Sequence, residues 1–315
     1  MASAFVVSST LDRTPCVSAA PAAQAQDGQP LFSVSSELVV LNVTVRDNNN
    51  RYLDGLEQDA FTVLENGRAQ PVRFFLHEDA PVTIGLLIDN SGTMQPNRDL
   101  VVAAATAFAN MSNPQDDMFA LAFNEQVHAA LTADAPFTSD PVVLRNALQR
   151  AVVPRGRTAL YDAVARGLEY VEKGRHERKV LVIVTDGSDN ASLESFEDVL
   201  SKTHSSNVIV YAVAIVDPVD ATPTWKRLRA FADHSGGELF HPNSVKQVNE
   251  VLLRIAQEIR HTYVMAYEPS TTRVGGSRSV RVQVRAPNRH TITVRRRAEF
   301  VPPTRRDPPR DPHVQ

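Results

Sequence analysis

Cysteine is nearly absent: among 315 residues only Cys16 carries a thiol. One Cys forms no internal disulfide, and there is no Cys cluster for zinc or an iron–sulfur centre, so any metal must be held by oxygen or His. No stretch is apolar over the about 18 residues that a membrane-spanning helix requires. The formal net charge is only −3, which excludes a chain built as a whole to coat nucleic acid or an anionic membrane. Neither GxxxxGK[ST] nor GxGxxG occurs, which removes the usual nucleotide cradles. GxSxG is missing too, and neither Ser91 nor Ser235 has an assignable His/Asp partnership. His176-Glu177 lacks the second His of HExxH, and His204, His234 and His241 fall without ligand spacing. Asp186, Ser188, Asn190 and Glu197 echo a calcium loop, but Ala191 stands where that loop requires Gly.

What is present is a globular composition, 43% hydrophobic and 22% charged, with material for one large domain or two ordinary ones. Charge is uneven along it. Residues 270–310 hold eleven Arg and no Lys against Glu299 and Asp307, so a basic end follows an acidic body. The basic end reads as a solvated strand face and a loose tail; the acidic body suits a hard divalent cation.

Residues 1–30 show no periodicity. Their Ala/Pro/Gln run, with Ala23 and Ala25 before Gln26-Asp27-Gly28, resembles the small-residue end of a secretory leader, although Asp12 and Arg13 interrupt its apolar part. This predicts an extracytoplasmic protein, periplasmic or secreted. Cys16 follows Arg13-Thr14-Pro15, which is not the context of a lipidated Cys.

Over 37–47, Val39, Leu41, Val43 and Val45 alternate with Val40, Asn42, Thr44 and Arg46, the period of a half-buried strand. Strand-like runs at 61–64 and 72–76 flank Asn66-Gly67, a strong hairpin signal. After Pro81 the pattern changes. Residues 82–88 form an apolar run without alternation, as in a strand buried on both faces of a parallel sheet, and 180–184 repeat it. Helices are predicted near 97–112, 141–151, 160–173, 194–204, 223–234 and after Ser244, where Gln247 completes a capping-box pattern. Strands at 118–123, 127–131, 208–216 and 238–240 alternate with them, which is the signature of a doubly wound α/β sheet. The chain returns to β at 263–267, 279–285 and 291–297. Three strands before and three after are each too few to bury a core. They are expected to pair into one small β-sandwich, with the α/β domain inserted between its halves. The expected organisation is a leader over 1–30, sandwich halves over 33–79 and 263–298, an α/β domain over 80–262, and a disordered Pro/Arg-rich tail over 299–315.

Open α/β sheets bind ligands at the carboxyl ends of their strands. The run 82–88 leads into Asp89-Asn90-Ser91-Gly92-Thr93, and 180–184 into Thr185-Asp186-Gly187; Gly156-Arg157-Thr158-Ala159 opens a helix at the same edge. Two carboxylates and three hydroxyls suit Mg²⁺, which prefers oxygen ligands and keeps some waters. Asp189 and Glu194 are candidates for an acidic rim, with solvated helix-start positions as the plainer reading. Trp225 with Lys226-Arg227 is either a contact patch or, for the Trp, part of the core.

Asp89-x-Ser91-x-Thr93, Thr158 and Asp186 together resemble the metal-ion-dependent adhesion site of the von Willebrand factor type A family, position by position. Thr93 stands where that family usually has Ser, and the hydroxyl is retained. The resemblance covers about 180 residues, and the layout of the flanking β segments is similar to bacterial (Acidobacteria-type) VWFA-related proteins. It implies a VWFA, Rossmann-like fold. It also implies direct ligation of the metal by Ser91 and Thr93, ligation by Thr158 directly or through water, and action of Asp89 and Asp186 often through water. The last position is taken by a carboxylate of a partner protein. The implied function is divalent-metal-dependent protein binding, with Mg²⁺, or Mn²⁺ or Ca²⁺ in its place, and no catalysis. An extracytoplasmic assembly or scaffold protein with a structural metal is the alternative, and a metal-dependent hydrolase a third reading, without an identifiable general base among the motif residues.

Overall fold

The computed structural model describes residues 38–49, 51–77, 79–186, 189–215, 222–242, 244, 246–269, 278–285, 293–295 and 299–300. The leader expected over 1–30 and the tail beyond residue 300 lie outside them.

The described residues begin with four strands, β1 (Val39–Arg46), β2 (Phe61–Glu65), β3 (Arg68–Gln70) and β4 (Val72–Leu76). An alternating α/β segment follows: β5 (Val82–Asp89), α1 (Arg98–Asn110), β6 (Asp117–Phe123), β7 (Val127–Ala129), α2 (Pro141–Ala151) and α3 (Leu160–Val171). It continues with β8 (Arg178–Thr185), α4 (Phe196–Ser205), β9 (Ile209–Ala214), α5 (Thr222–Ser235), β10 (Leu239–Phe240) and α6 (Lys246–Arg260). Strands β11 (Thr262–Tyr267), β12 (Arg278–Val284), β13 (Thr293–Arg295) and β14 (Glu299–Phe300) close it.

Strands β5 to β10 form one mixed sheet in the order β10-β9-β8-β5-β6-β7, parallel except for the β6/β7 edge pair. Every residue of β5 is buried, as its unbroken apolar run predicts. Ile84, Leu86 and Ile88 pack with Phe108, Leu144, Leu252 and Ile255 of α1, α2 and α6. Leu87 faces the other way, toward Leu160, Val164, Val199 and Phe231 of α3, α4 and α5. Three helices thus cover each face. Gly85 has no room for a side chain, since a Cβ there would lie 2.3 Å from Phe119 Cζ. Asp140 caps α2 by accepting from Val142 N, with Pro141 in the first turn. Gly236, at φ 87°, follows the end of α5 as a left-handed C-terminal residue. Ser244 and Gln247 meet through their backbones, Gln247 N donating to Ser244 O at 3.0 Å.

The outer strands make two four-stranded sheets, β13-β1-β11-β4 and β14-β12-β2-β3. Val39, Leu41, Val43 and Val45 of β1 join Tyr263, Met265 and Tyr267 of β11 in one core with Phe61, Val63, Val280 and Val282 of the second sheet. The α/β segment is therefore inserted between the two halves of a small β-sandwich. Two expectations change. The Asn66-Gly67 turn, with φ of 49° and 80°, joins β2 to β3 rather than to the run at 72–76. Pro71 supplies no N–H to continue the ladder, and β4 leaves for the other sheet, where it pairs with β11. Glu299 and Phe300, expected to open the tail, instead pair with Ser279 and Arg278.

The chain passes between the two parts at one end of the α/β sheet. α6 runs through a single residue, His261, into β11. There Arg46 of β1 donates to Glu258 of α6 at 2.6 Å, and Tyr211 Oη donates to the other Glu258 oxygen at 3.1 Å. Arg260 bridges Asp116 at 2.9 Å and Asp79 at 3.1 Å, and Tyr52 stacks on His261 at 4.4 Å.

Candidate metal-binding site

Parallel pairing of β5 with β8 sets Ile88 beside Val184, so the residues that follow both strands emerge together at the opposite end from the junction. The strand-end loops are stitched to their neighbours by backbone hydrogen bonds. Asn90 N donates to Phe123 O at 2.7 Å, Arg155 N to Asn90 O at 2.8 Å, and Gly92 N to Gly156 O at 3.1 Å. The loop carrying Thr158 is thereby fastened to the loop carrying Ser91.

Four of the five predicted residues form one chain of contacts. Ser91 N donates to Asp89 Oδ1 at 2.9 Å, the Ser91 and Thr93 hydroxyls lie 3.0 Å apart, and Thr93 Oγ1 donates to Asp186 Oδ2. Thr158, the fifth, is buried on the adjoining loop and held by its backbone. Its N–H donates to Asn190 Oδ1 at 2.8 Å, and its carbonyl accepts from Asn190 N at 2.9 Å. Asp89, 1% exposed, also accepts from the Thr185 hydroxyl at 2.6 Å. Burial, reinforced by the Asp186 charge, pushes the Asp89 carboxyl up to about 6. Asp186 Oδ1 is buried with no hydrogen-bond partner.

A buried carboxylate oxygen without a donor is costly. The charge of Asp186, which raises the Asp89 carboxyl, adds repulsion to that cost. A divalent cation relieves both, and the donors at hand are hydroxyl and carboxylate oxygens, the ligand type that Mg²⁺ and Ca²⁺ select. Among the described residues no group of three or more His, Cys, Asp or Glu gathers to offer another kind of metal site.

The residues that brace the site were less visible in the sequence. Ala159 precedes α3 and offers no capping side chain, so the helix takes its caps from the loop after β8. Asp189 Oδ1 accepts from Leu160 N at 2.8 Å, and Ser192 Oγ accepts from Tyr161 N at 3.0 Å and Asp162 N at 3.2 Å. Asp162 in turn accepts from Leu193 N at 3.0 Å and Glu194 N at 2.8 Å. Asp189 is thus a brace rather than part of an acidic rim, and Glu194 is paired with Lys202 at 2.7 Å. The uncapped start of α3 was the available signal for these partners. Trp225 packs against the core of the α3, α4 and α5 face, and Arg227 donates to Tyr161 Oη at 2.8 Å, so neither reads as a free contact patch.

The family model for the von Willebrand factor type A domain matches residues 83–260. No curated protein matches the sequence. Among solved structures, a von Willebrand factor type A protein from Catenulispora acidiphila is 14% identical, with 87% of this chain and 76% of that one covered and a TM-score of 0.48. The vWF domain of a type V pili tip protein from Porphyromonas gingivalis is 11% identical, covering 57% of this chain and 95% of its own, with a TM-score of 0.48. An aerotolerance-related membrane protein from Bacteroides fragilis is 13% identical over 56% of this chain and 99% of its own, with a TM-score of 0.44.

Proposed function

Because the chain belongs to the von Willebrand factor type A family, we propose that it is an extracytoplasmic binding module that holds a divalent cation, Mg²⁺ by preference, and captures a protein partner through a carboxylate. Ser91, Thr93 and Thr158 would supply hydroxyls to the cation, and Asp89 and Asp186 the compensating charge. When bound, the cation offers a Lewis-acidic docking point for an anionic oxygen. The protein's own part is to keep that point rigid and partly dry. β5 and β8 fix the carboxylates, the Gly92–Gly156 and Thr158–Asn190 contacts fix the hydroxyl loops, and Thr185 orients Asp89.

The observation that carries this reading is the orphaned Asp186 oxygen beside a buried Asp89. The reading assigns binding rather than catalysis, since Asp89 is tied to the Ser91 N–H and the Thr185 hydroxyl and is not poised as a general base.

Calorimetric titration of the full chain with Mg²⁺, compared with Asp186→Ala, tests the site; capture of partners from an extracytoplasmic extract, with Mg²⁺ and with chelator, tests the function. Loss of Mg²⁺ binding in the variant and loss of capture in chelator are expected. Equal Mg²⁺ binding by the variant, or capture that persists in chelator, would overturn the reading. Mg²⁺ binding that raises stability while capture ignores it would leave the metal as a structural element of a scaffold.

A further inference from the structure

The cation accepts one oxygen of a partner, and the remaining affinity must come from the loops around it. Arg155 and Arg157 flank Gly156, whose carbonyl is bonded to Gly92 N, and both Arg residues are exposed. Their surroundings differ. Arg157 is held by Glu125, which accepts from its Nε and its backbone N–H at 3.3 Å each. Arg155 gives its backbone N–H to Asn90 O at 2.8 Å, and its guanidinium makes no ion pair or hydrogen bond with any described residue. Arg98, the other Arg beside this loop, is occupied with Val152 O, Gln149 O and Asp99. Arg155 is anchored through its backbone, one hydrogen bond from the Asp89-Asn90-Ser91 loop, and its exposed guanidinium is a fork suited to a carboxylate. The carboxylates of the cluster are committed to the cation, so the anion it fits must come from outside.

We propose that the partner segment is diacidic: one carboxylate docks at the cation and a second, close in sequence, is taken by Arg155. This rests on the metal-dependent reading above and adds the partner's charge pattern to it. Arg155 is a specificity residue here, since it favours two neighbouring acidic groups over one. Its guanidinium is exposed, so its contribution is that of a solvent-screened charge pair, roughly a threefold to fivefold change in affinity.

The test uses two short capped peptides, one with a single Asp in a Gly/Ser background and one with two Asp separated by one residue. Each is titrated into the full chain by NMR with Mg²⁺ and with chelator. The wild type is expected to bind the diacidic peptide about sixfold to tenfold more tightly, the product of that factor and the statistical factor of two for a second carboxylate, and only with Mg²⁺. In Arg155→Gln the ratio between the peptides falls to about the statistical factor of two, whereas Arg166→Gln, changed on α3 where Arg166 pairs with Glu169, keeps the wild-type ratio. A ratio unaltered by Arg155→Gln, with Mg²⁺ dependence intact, overturns this inference alone. Binding that is indifferent to chelator, or no binding of either peptide with Mg²⁺, overturns the metal-dependent reading as well.

Discussion

Replacing Asp89 by Asn should make the metal-free protein more stable, although Asp89 lies at the centre of the candidate site. Its carboxyl is raised from 3.8 to about 6 by burial and by Asp186. Holding it ionised at neutral pH therefore costs the folded state roughly 3 kcal/mol, at about 1.4 kcal/mol per pH unit. Asn carries no charge and keeps one acceptor for Ser91 N, but its NH₂ group faces the Thr185 hydroxyl, and that lost acceptor costs about 1 kcal/mol. The net gain is about 1–2 kcal/mol, on the order of 5 °C in the melting temperature of a domain this size. Melting in chelator measures it. Because the folded pKa lies above the unfolded one, the wild type in chelator should itself gain stability as pH falls from 7 toward 5, where Asp89 takes up its proton, and the Asp89→Asn variant should lack this component. Mg²⁺ should reverse the order. A hundredfold excess over its dissociation constant stabilises the wild type by about 2.7 kcal/mol, and the variant gains little. If the Asp89→Asn variant melted below wild type in chelator, or rose equally with Mg²⁺, the charge argument would be wrong.

Three further outcomes follow from other parts of the molecule. Glu258→Ala removes the carboxylate that pairs with the buried Arg46 guanidinium and accepts from Tyr211 Oη, so urea unfolding should show a loss of about 3–5 kcal/mol; a loss below about 1 kcal/mol would mean that the junction contributes little. Gly237→Ala would set a Cβ 2.0 Å from Val210 O, and the backbone shift this forces should cost on the order of 1–3 kcal/mol; unchanged stability would refute the close approach of α5's end to β9. Trp225, the only Trp, lies 4.0 Å from the His241 ring, whose pKa is lowered by burial and then by Arg229. Its fluorescence should stay flat down to about pH 6.5 and change only below it. Stability linked to neutral His241 is present above that pH and lost as pH falls through the lower folded value. A fluorescence midpoint at or above about 6.5, or one that survives His241→Leu, would refute the assignment.

The elements of the α/β sheet were legible because burial on both faces leaves a local mark: the unbroken run in β5 and its repeat in β8 announce parallel strands without reference to anything distant. The five candidate residues could be proposed for a related reason, since each lies where such a strand ends or a helix starts. Their mutual contacts could not. Nothing near Asp89 in the chain indicates that Thr185 holds its second oxygen, and nothing near Arg46 indicates Glu258, 212 residues later. The Pro71 strand switch shows a subtler limit. The Asn66-Gly67 turn lies where it was expected, but its second strand is β3 rather than the run at 72–76, which leaves for the other sheet after Pro71.

The placement of the two chain crossings has a mechanical consequence. β5 runs from Val82 to Asp89, at the loops of the candidate site, with β6 hydrogen-bonded along one side and β8 along the other. A pull on a captured partner, resisted at the sandwich, would run along the axis of this strand. Its lateral hydrogen bonds would then be loaded together in shear, instead of being peeled one after another. On the proposed reading, the two-sided pairing of β5 would let the segment that carries Asp89 bear tension between a ligand and the sandwich.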